Sequence, residues 1–207
     1  MKKTKIEIEK RGRLETGKKE NFLEYLKKNG KFLNEYNQLS IFCESGSRFL
    51  GNIENTKVSV AVTILNNLKL KKISYKLKVK SGKMESGIRK ELILPFKAKN
   101  LTGVLNLLEV FEITTGCPRF YHRYDFKLGK YFVSIKEKGF APDHFEIETV
   151  IRDEKKAENE TRKLEKFVES LGLKFYSDEE YKEIMLGTFR KYPPVPFGEI
   201  DFSVVNS

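Results

Sequence analysis

The feature that most constrains this chain is a pair of glutamates set two residues apart, which occurs once early and once late. Ile6-Glu7-Ile8-Glu9 opens the sequence, and Phe145-Glu146-Ile147-Glu148 lies well past its middle. Successive side chains of an extended strand point to opposite faces. Each motif therefore puts two carboxylates on one face and apolar residues on the other. A sheet with one wet face tolerates scattered charge, but neighbouring like charges on a face repel. Stability alone gives no reason to build that arrangement twice. A divalent cation does, because Mg²⁺ takes hard oxygen ligands and commonly sits between carboxylates and substrate phosphates.

The same alternation recurs with basic residues. Along 4–11, Lys5 and Arg11 share the face of Glu7 and Glu9. Lys76, Lys78 and Lys80 alternate with Tyr75, Leu77 and Val79, and Arg89 and Glu91 oppose Leu92 and Leu94. Arg119, Tyr121, Arg123 and Asp125 oppose Phe120, Tyr124 and Phe126, while Lys130, Ser134 and Lys136 face away from Tyr131, Val133 and Ile135. These segments predict at least six strands, mostly antiparallel. If the sheet closes, the charges point into a polar lumen and the apolar side packs against outer helices. The bases would then hold phosphate oxygens by charge and hydrogen bond.

Helical periodicity appears between the strands. Phe22, Leu23 and Leu26 predict a helix over 19–29, with Gly30 as its left-handed stop. Val104, Leu105 and Leu108 predict another over 101–111, and Leu164, Phe167, Val168 and Leu171 a long one from an Asp153 cap. Ser177 and Glu180 form a capping-box pattern for a helix over 177–186. The reading is thus one domain over residues 1–186 with a Pro-containing C-terminal tail over 187–207, closed by a short strand over 199–205. No internal repeat or linker divides it further.

Charge narrows the partner. Forty Lys and Arg against 29 Asp and Glu leave +11, which favours a nucleotide, a polyphosphate, a nucleic acid or an acidic membrane face. Other classes fall away. The basic start has no apolar run behind it, as a signal peptide needs, and no stretch is apolar for the length of a membrane span. Cys43 and Cys117 cannot make a disulfide framework or a zinc site, and so few cysteines suit a reducing cytoplasm. His122 and His144 belong to no metal-binding or triad pattern, and no recognition-helix or RNP-type motif supports nucleic acid.

Taken in order, these segments resemble the CYTH group, the triphosphate tunnel family of class IV adenylyl cyclases and thiamine- and tripolyphosphate-cleaving phosphatases. The E-x-E-x-basic opening reads Glu7-Ile8-Glu9-Lys10-Arg11. Gln38-Leu39-Ser40-Ile41-Phe42 is similar to the second strand, Tyr75 to Lys80 to the lysine strand, Arg89-Lys90-Glu91 to the R-x-E strand, and Phe145 to Glu148 to the E-x-E ending. Leu171-Gly172-Leu173 and Ser177 to Tyr181 resemble the closing helix, so the likeness runs from Thr4 to Met185. The resemblance implies an α+β fold: a closed or nearly closed antiparallel barrel of about eight strands, with a charged interior tunnel and helices outside.

For chemistry, it implies a phosphohydrolase acting on tripolyphosphate, thiamine triphosphate or a nucleoside triphosphate. Glu7, Glu9, Glu146 and Glu148 would be catalytic and, with Glu91, would hold Mg²⁺ or Mn²⁺. Arg11, Lys76, Lys78, Lys80, Arg89 and Arg123 would bind the phosphates. A class IV adenylyl cyclase and an inactive nucleotide- or polyanion-binding protein on the same barrel are the alternatives, as a monomer or homodimer. The chain also departs from the family. Ala61 and Thr63 stand where two arginines are usual, with Lys69 and Lys71 as substitutes only if the register shifts. Ile93 and Lys136 replace acidic residues, and Ala141-Pro142 replaces Leu-Gly.

Overall fold

The computed structural model describes residues 6–15, 17–44, 58–81, 88–139 and 141–206. Eight strands form one antiparallel barrel: β1 (Ile6–Arg13), β2 (Lys31–Glu44), β3 (Val58–Asn67), β4 (Lys72–Ser81), β5 (Ile88–Phe96), β6 (Thr115–Leu128), β7 (Tyr131–Glu137) and β8 (His144–Ile151). Their order is β2-β3-β4-β5-β1-β8-β7-β6, and β6 pairs back onto β2, which closes the sheet and removes its free edges. The expected barrel is therefore present. Lys5, counted on a strand face from sequence, lies outside the described residues.

Alternation sorts the side chains between lumen and outer wall. On β1, β7 and β8 the outward residues Ile8, Val133, Ile135, Phe145 and Ile147 are fully buried. They pack with Phe22 and Leu26 of helix α1 (Lys18–Asn29) and with Leu164 and Val168 of helix α3 (Ala157–Ser170). A second core forms on β2 and β3, where Leu39, Ile41, Val62 and Ile64 meet Leu105 and Leu108 of helix α2 (Leu101–Val110). Each fully buried aliphatic or aromatic side chain contributes roughly 1.5–3 kcal/mol, so the charged face can be turned inward without losing a core.

Three local expectations are corrected. Gly30 is extended, φ −108° and ψ 168°, and leads straight into β2. Its value is close approach, since a Cβ there would lie 2.9 Å from the Leu26 carbonyl oxygen. The capping box at Ser177 is present, but its helix α4 (Asp178–Lys191) continues through Gly187 and ends only before Pro193-Pro194. Residues 199–205 form no strand: the chain makes 3₁₀ turns at Phe197–Glu199 and Phe202–Asn206. Asp201 explains the second turn, because its carboxylate accepts from the Ser203 amide at 2.8 Å. The strand near that end is the short β9 (Val195–Pro196), paired with Thr115 and Gly116, and Phe197, Ile200 and Val205 are buried in the second core. Among the described residues no helix is long and apolar enough to cross a membrane.

Candidate active site

The lumen encloses a cavity of about 300 Å³. Glu7, Glu9 and Arg11 of β1, Lys76, Lys78 and Lys80 of β4, Glu91 of β5, Arg123 of β6, and Glu146 and Glu148 of β8 all line it. Of the residues expected at the site, only Arg89 is not placed there. Its backbone stands opposite Glu7 in the β1–β5 register, and its side chain lies outside the described residues. The positions that depart from the family pattern are also lumenal: Ala61, Thr63, Ile93 and Lys136 line the same cavity. Lys69 and Lys71 sit in the β3–β4 turn, so they do not replace the missing arginines.

Register brings the early and late glutamate pairs together. In the β1–β8 ladder Glu9 stands opposite Glu148, and Arg11 opposite Glu146. Lys80 reaches both early carboxylates, at 2.6 Å from Glu7 and 2.8 Å from Glu9. Arg11 donates from Nη2 to Glu9 and from Nε to Glu146 at 2.7 Å, and Lys136 takes the other Glu146 oxygen at 2.6 Å. A basic residue at 136, unexpected from the family pattern, thus serves as a counter-charge for Glu146. Farther round the wall, Arg123 grips Asp125 with Nε at 2.6 Å and Nη2 at 3.1 Å, and Ser134 donates to the same carboxylate.

These contacts separate the carboxyl groups electrically. Burial raises Glu9, but Arg11 and Lys80 outweigh it and hold the group down at about 2. Glu146 is likewise held well below the ordinary range: burial opposes this, and Lys136 and Arg11 prevail. Glu148 has no such clamp. Burial, followed by the charges of Glu7 and Glu9, pushes it up to about 8, and it shares a hydrogen bond with Glu7. Glu7 is itself raised by burial and by Glu9. One proton therefore stays between Glu7 and Glu148 at neutral pH, as expected when two carboxyls crowd one site.

This acidic wall carries hard-oxygen donors that could hold a divalent cation. Glu7 and Glu148 need a proton to tolerate one another, and Glu91 Oε1 is buried without a hydrogen bond, with Lys78 and Lys80 no nearer than 3.5 and 3.6 Å. Among the described residues no three acidic, histidine or cysteine side chains are gathered as ligands. The hard-oxygen donors are present, with two of them unsatisfied or protonated.

Sequence reasoning missed the residues at one end of the cavity. Tyr181, Ile184 and Met185 of α4 line it. Met185 and Phe189 pack on the inward residues Cys117 and Phe42. Tyr181 lies over the Arg11 guanidinium, 5.1 Å from ring centroid to Cζ. Tyr181 had entered only as part of a helix pattern; nothing in that spacing tells which helix face meets a tunnel mouth. The approach is set by Gly12, where a Cβ would lie 2.2 Å from the Lys174 carbonyl oxygen, and by the Tyr176 amide bonded to Arg11 O at 2.9 Å.

The fold is shared with several solved structures. The PH1819 protein of Pyrococcus horikoshii OT3 superposes with a TM-score of 0.72 at 17% identity, over 87% of this chain and 98% of that one. A protein of Vibrio parahaemolyticus proposed as an adenylate cyclase gives 0.62 at 19% identity, over 87% and 97%. HpAC1 of Hippeastrum, proposed as an adenylyl cyclase and described by a dominant triphosphatase activity, gives 0.52 at 16% identity, over 83% and 89%. By sequence, no family model and no curated protein matches the chain. The structural neighbours bear out the CYTH resemblance at the level of fold.

Proposed function

We propose that the protein is a metal-dependent phosphohydrolase that takes a triphosphate-containing substrate (tripolyphosphate, thiamine triphosphate or a nucleoside triphosphate) into the barrel. One observation carries this reading: the lumen gathers acids and bases that nearly cancel. Among the described residues, seven cationic ones line the cavity (Arg11, Lys76, Lys78, Lys80, Arg119, Arg123, Lys136) against six acidic ones (Glu7, Glu9, Glu91, Asp125, Glu146, Glu148). A triphosphate brings several further negative charges, more than so small an excess offsets. Mg²⁺ or Mn²⁺ held by Glu7 and Glu148, with Glu9, Glu91 and Glu146 beside them, would supply that balance and polarise the phosphate oxygens.

The chain's own groups do the rest. Lys76 and Lys78 present ammonium groups to the phosphates, and Arg123, held by Asp125 through Nε and Nη2 and donating from Nη1 to Gln38, adds its charge, with Arg11 and Lys80 at the glutamate end of the cavity. Tight positioning of this kind contributes more to phosphoryl transfer than covalent participation does. Glu148, raised by burial and by Glu7 and Glu9 in the metal-free protein, would release its proton when the metal binds, which couples metal loading to pH. The α4 residues Tyr181 and Met185 limit water at one end.

The deciding experiment is product analysis with tripolyphosphate and with ATP, in Mg²⁺ or Mn²⁺, beside the Glu7→Gln/Glu9→Gln double variant. Orthophosphate release that needs metal and drops at least a hundredfold in the variant is the expected result. Cyclic AMP with pyrophosphate would replace the hydrolase by the cyclase. Triphosphate-dependent thermal stabilisation with no product would instead make the barrel a binding protein, a reading favoured by Ala61 and Thr63 in its wall.

A further inference from the structure

Among the described residues the lumenal Arg119 is left without an anionic partner. Arg119 is 4% exposed, and its Nε and Nη2 have no hydrogen bond. The guanidinium lies between two rings, with Cζ 4.3 Å from the Phe42 centroid and 4.6 Å from that of Phe189. Its Nη1 points to the Met185 sulfur at 3.3 Å. The rings satisfy the two faces of the cation. They do nothing for the in-plane N–H groups, and a thioether is a weak acceptor.

The identity of the empty atoms is informative. Nε and Nη2 lie along one edge of a guanidinium and donate in parallel, the geometry that fits two oxygens of a carboxylate or phosphate. Two side chains along the same strand face, Arg123 uses these same two atoms to grip Asp125. At Arg119 no carboxylate is supplied. Its cross-strand neighbour is Ser40, which stands opposite Thr63, which stands opposite Lys76. That row holds two cations and two hydroxyls and no acid. Lys76, too, has no ion pair among the described residues, and its pKa is lowered by burial and then by the nearby charges of Lys78 and Arg123.

We propose that Arg119 is a substrate-binding residue, whose side-on fork takes two oxygens of a phosphoryl group at the α4 end of the tunnel, with Ser40, Thr63 and Lys76 continuing the cradle. It rests on the hydrolase reading for the identity of the anion. The row runs through Thr63, so it furnishes donors on the stretch of wall where the arginines of β3 are missing. Desolvation between two rings strengthens an oxyanion contact relative to one in water. Both fork atoms are shielded from solvent in the ligand-free protein. The anion therefore enters with a small shift of its cover, and the unbranched Met185 is the neighbour best able to yield.

The test is calorimetry and thermal denaturation of the full chain with Mg²⁺ and imidotriphosphate, whose P–N–P bridges resist hydrolysis, and separately with malonate. Arg119→Met and Arg119→Lys are compared with wild type. Wild type is expected to bind imidotriphosphate, Arg119→Met to bind about tenfold to a hundredfold more weakly, and Arg119→Lys, which keeps charge but loses the fork, to recover only part. Without ligand, Arg119→Met should melt no lower than wild type, because it removes an unpaired buried charge. Equal affinity in wild type and Arg119→Met would overturn this proposal alone. So would a ligand-free Tm that falls by as much as the ligand shift lost, since that marks a packing role. Arg119-dependent binding of malonate but not imidotriphosphate would overturn the phosphoryl assignment, and no imidotriphosphate binding by wild type would overturn the hydrolase reading with it.

Discussion

The two walls of the tunnel solve the problem of buried charge in different ways. The wall built from β1, β5 and β8 is rich in acid and is largely compensated from within the chain: Lys80 serves Glu7 and Glu9, and Arg11 and Lys136 share Glu146. The wall built from β2, β3, β4 and β6 is rich in donors. Apart from Lys80, which reaches across from β4 to the glutamates, only Arg123 there has a carboxylate at hydrogen-bond distance, and Arg119 and Lys76 have none among the described residues. A buried charge with an internal partner contributes to a unique fold, whereas one without a partner costs stability. The first wall should therefore govern whether the barrel stands, and the second how tightly it holds an anion.

Lys80→Met should break the first wall. Removing that ammonium leaves Glu7 with no ion-pair partner among the described residues and Glu9 with Arg11 alone, and an uncompensated charge in so enclosed a place costs about 2–4 kcal/mol. A lower urea midpoint at neutral pH is the expected outcome. Protonation should restore part of the loss at acid pH, and so should millimolar Mg²⁺ if the carboxylates hold it. A midpoint equal to wild type would mean that the acidic wall does not depend on Lys80.

A smaller effect comes from pH, and its direction follows from the two sides of the glutamate cluster. Glu148 titrates at about 8 when folded, above the 4.5 of an unperturbed glutamate. Its contribution is complete below pH 4.5 and disappears as the pH rises through 8, where ionisation places another charge beside Glu7 and Glu9. Glu9, held at about 2, does the opposite: it contributes above 4.5 and loses that contribution as the pH falls toward 2. Metal-free protein should thus lose stability as the pH rises from 4.5 through 8. The Glu148→Gln variant should remove that decline without changing the acid limb. A Tm profile that slopes equally in both proteins would assign the alkaline loss to another group.

Much of the acidic wall was legible because it rests on short-range periodicity. A spacing of two fixes that Glu7 shares a face with Glu9, and Glu146 with Glu148, wherever the strands end up. The resemblance supplied the closure, and the register then placed Glu9 opposite Glu148. The donor wall was less legible. Arg119 was visible on the inward face of its strand, but its state depends on Phe42 from β2 and Phe189 from α4, residues that no local pattern connects. Lys136 read as the loss of a carboxylate; only the β7–β8 pairing shows it to be a partner for Glu146. The C-terminal stretch misled for a different reason. Hydrophobic alternation from Ile200 to Val205 suggests a strand, but the Asp201 side chain captures the Ser203 amide and turns the chain.

The smallest change in stability, and the sharpest contrast with Lys80, should come from Lys76→Met. Lys80 and Lys76 lie on one strand face four residues apart, both ammonium groups in the same cavity. Lys80 has two carboxylates within 2.8 Å, and Lys76 is surrounded first by Lys78 and Arg123. Losing Lys76 removes repulsion as well as a charge, so the ligand-free protein should change by less than about 0.5 kcal/mol, the range of a substitution that breaks no partnered contact. Binding of imidotriphosphate should weaken by about tenfold, because a charge-assisted hydrogen bond to phosphate is lost. Chemical denaturation and calorimetry on the Lys80→Met and Lys76→Met pair read the two quantities separately. If both variants lose stability alike, the walls are not functionally distinct. If Lys76→Met keeps both stability and affinity, the donor wall ends at Thr63, and the phosphate chain lies nearer the glutamates than this row of donors implies.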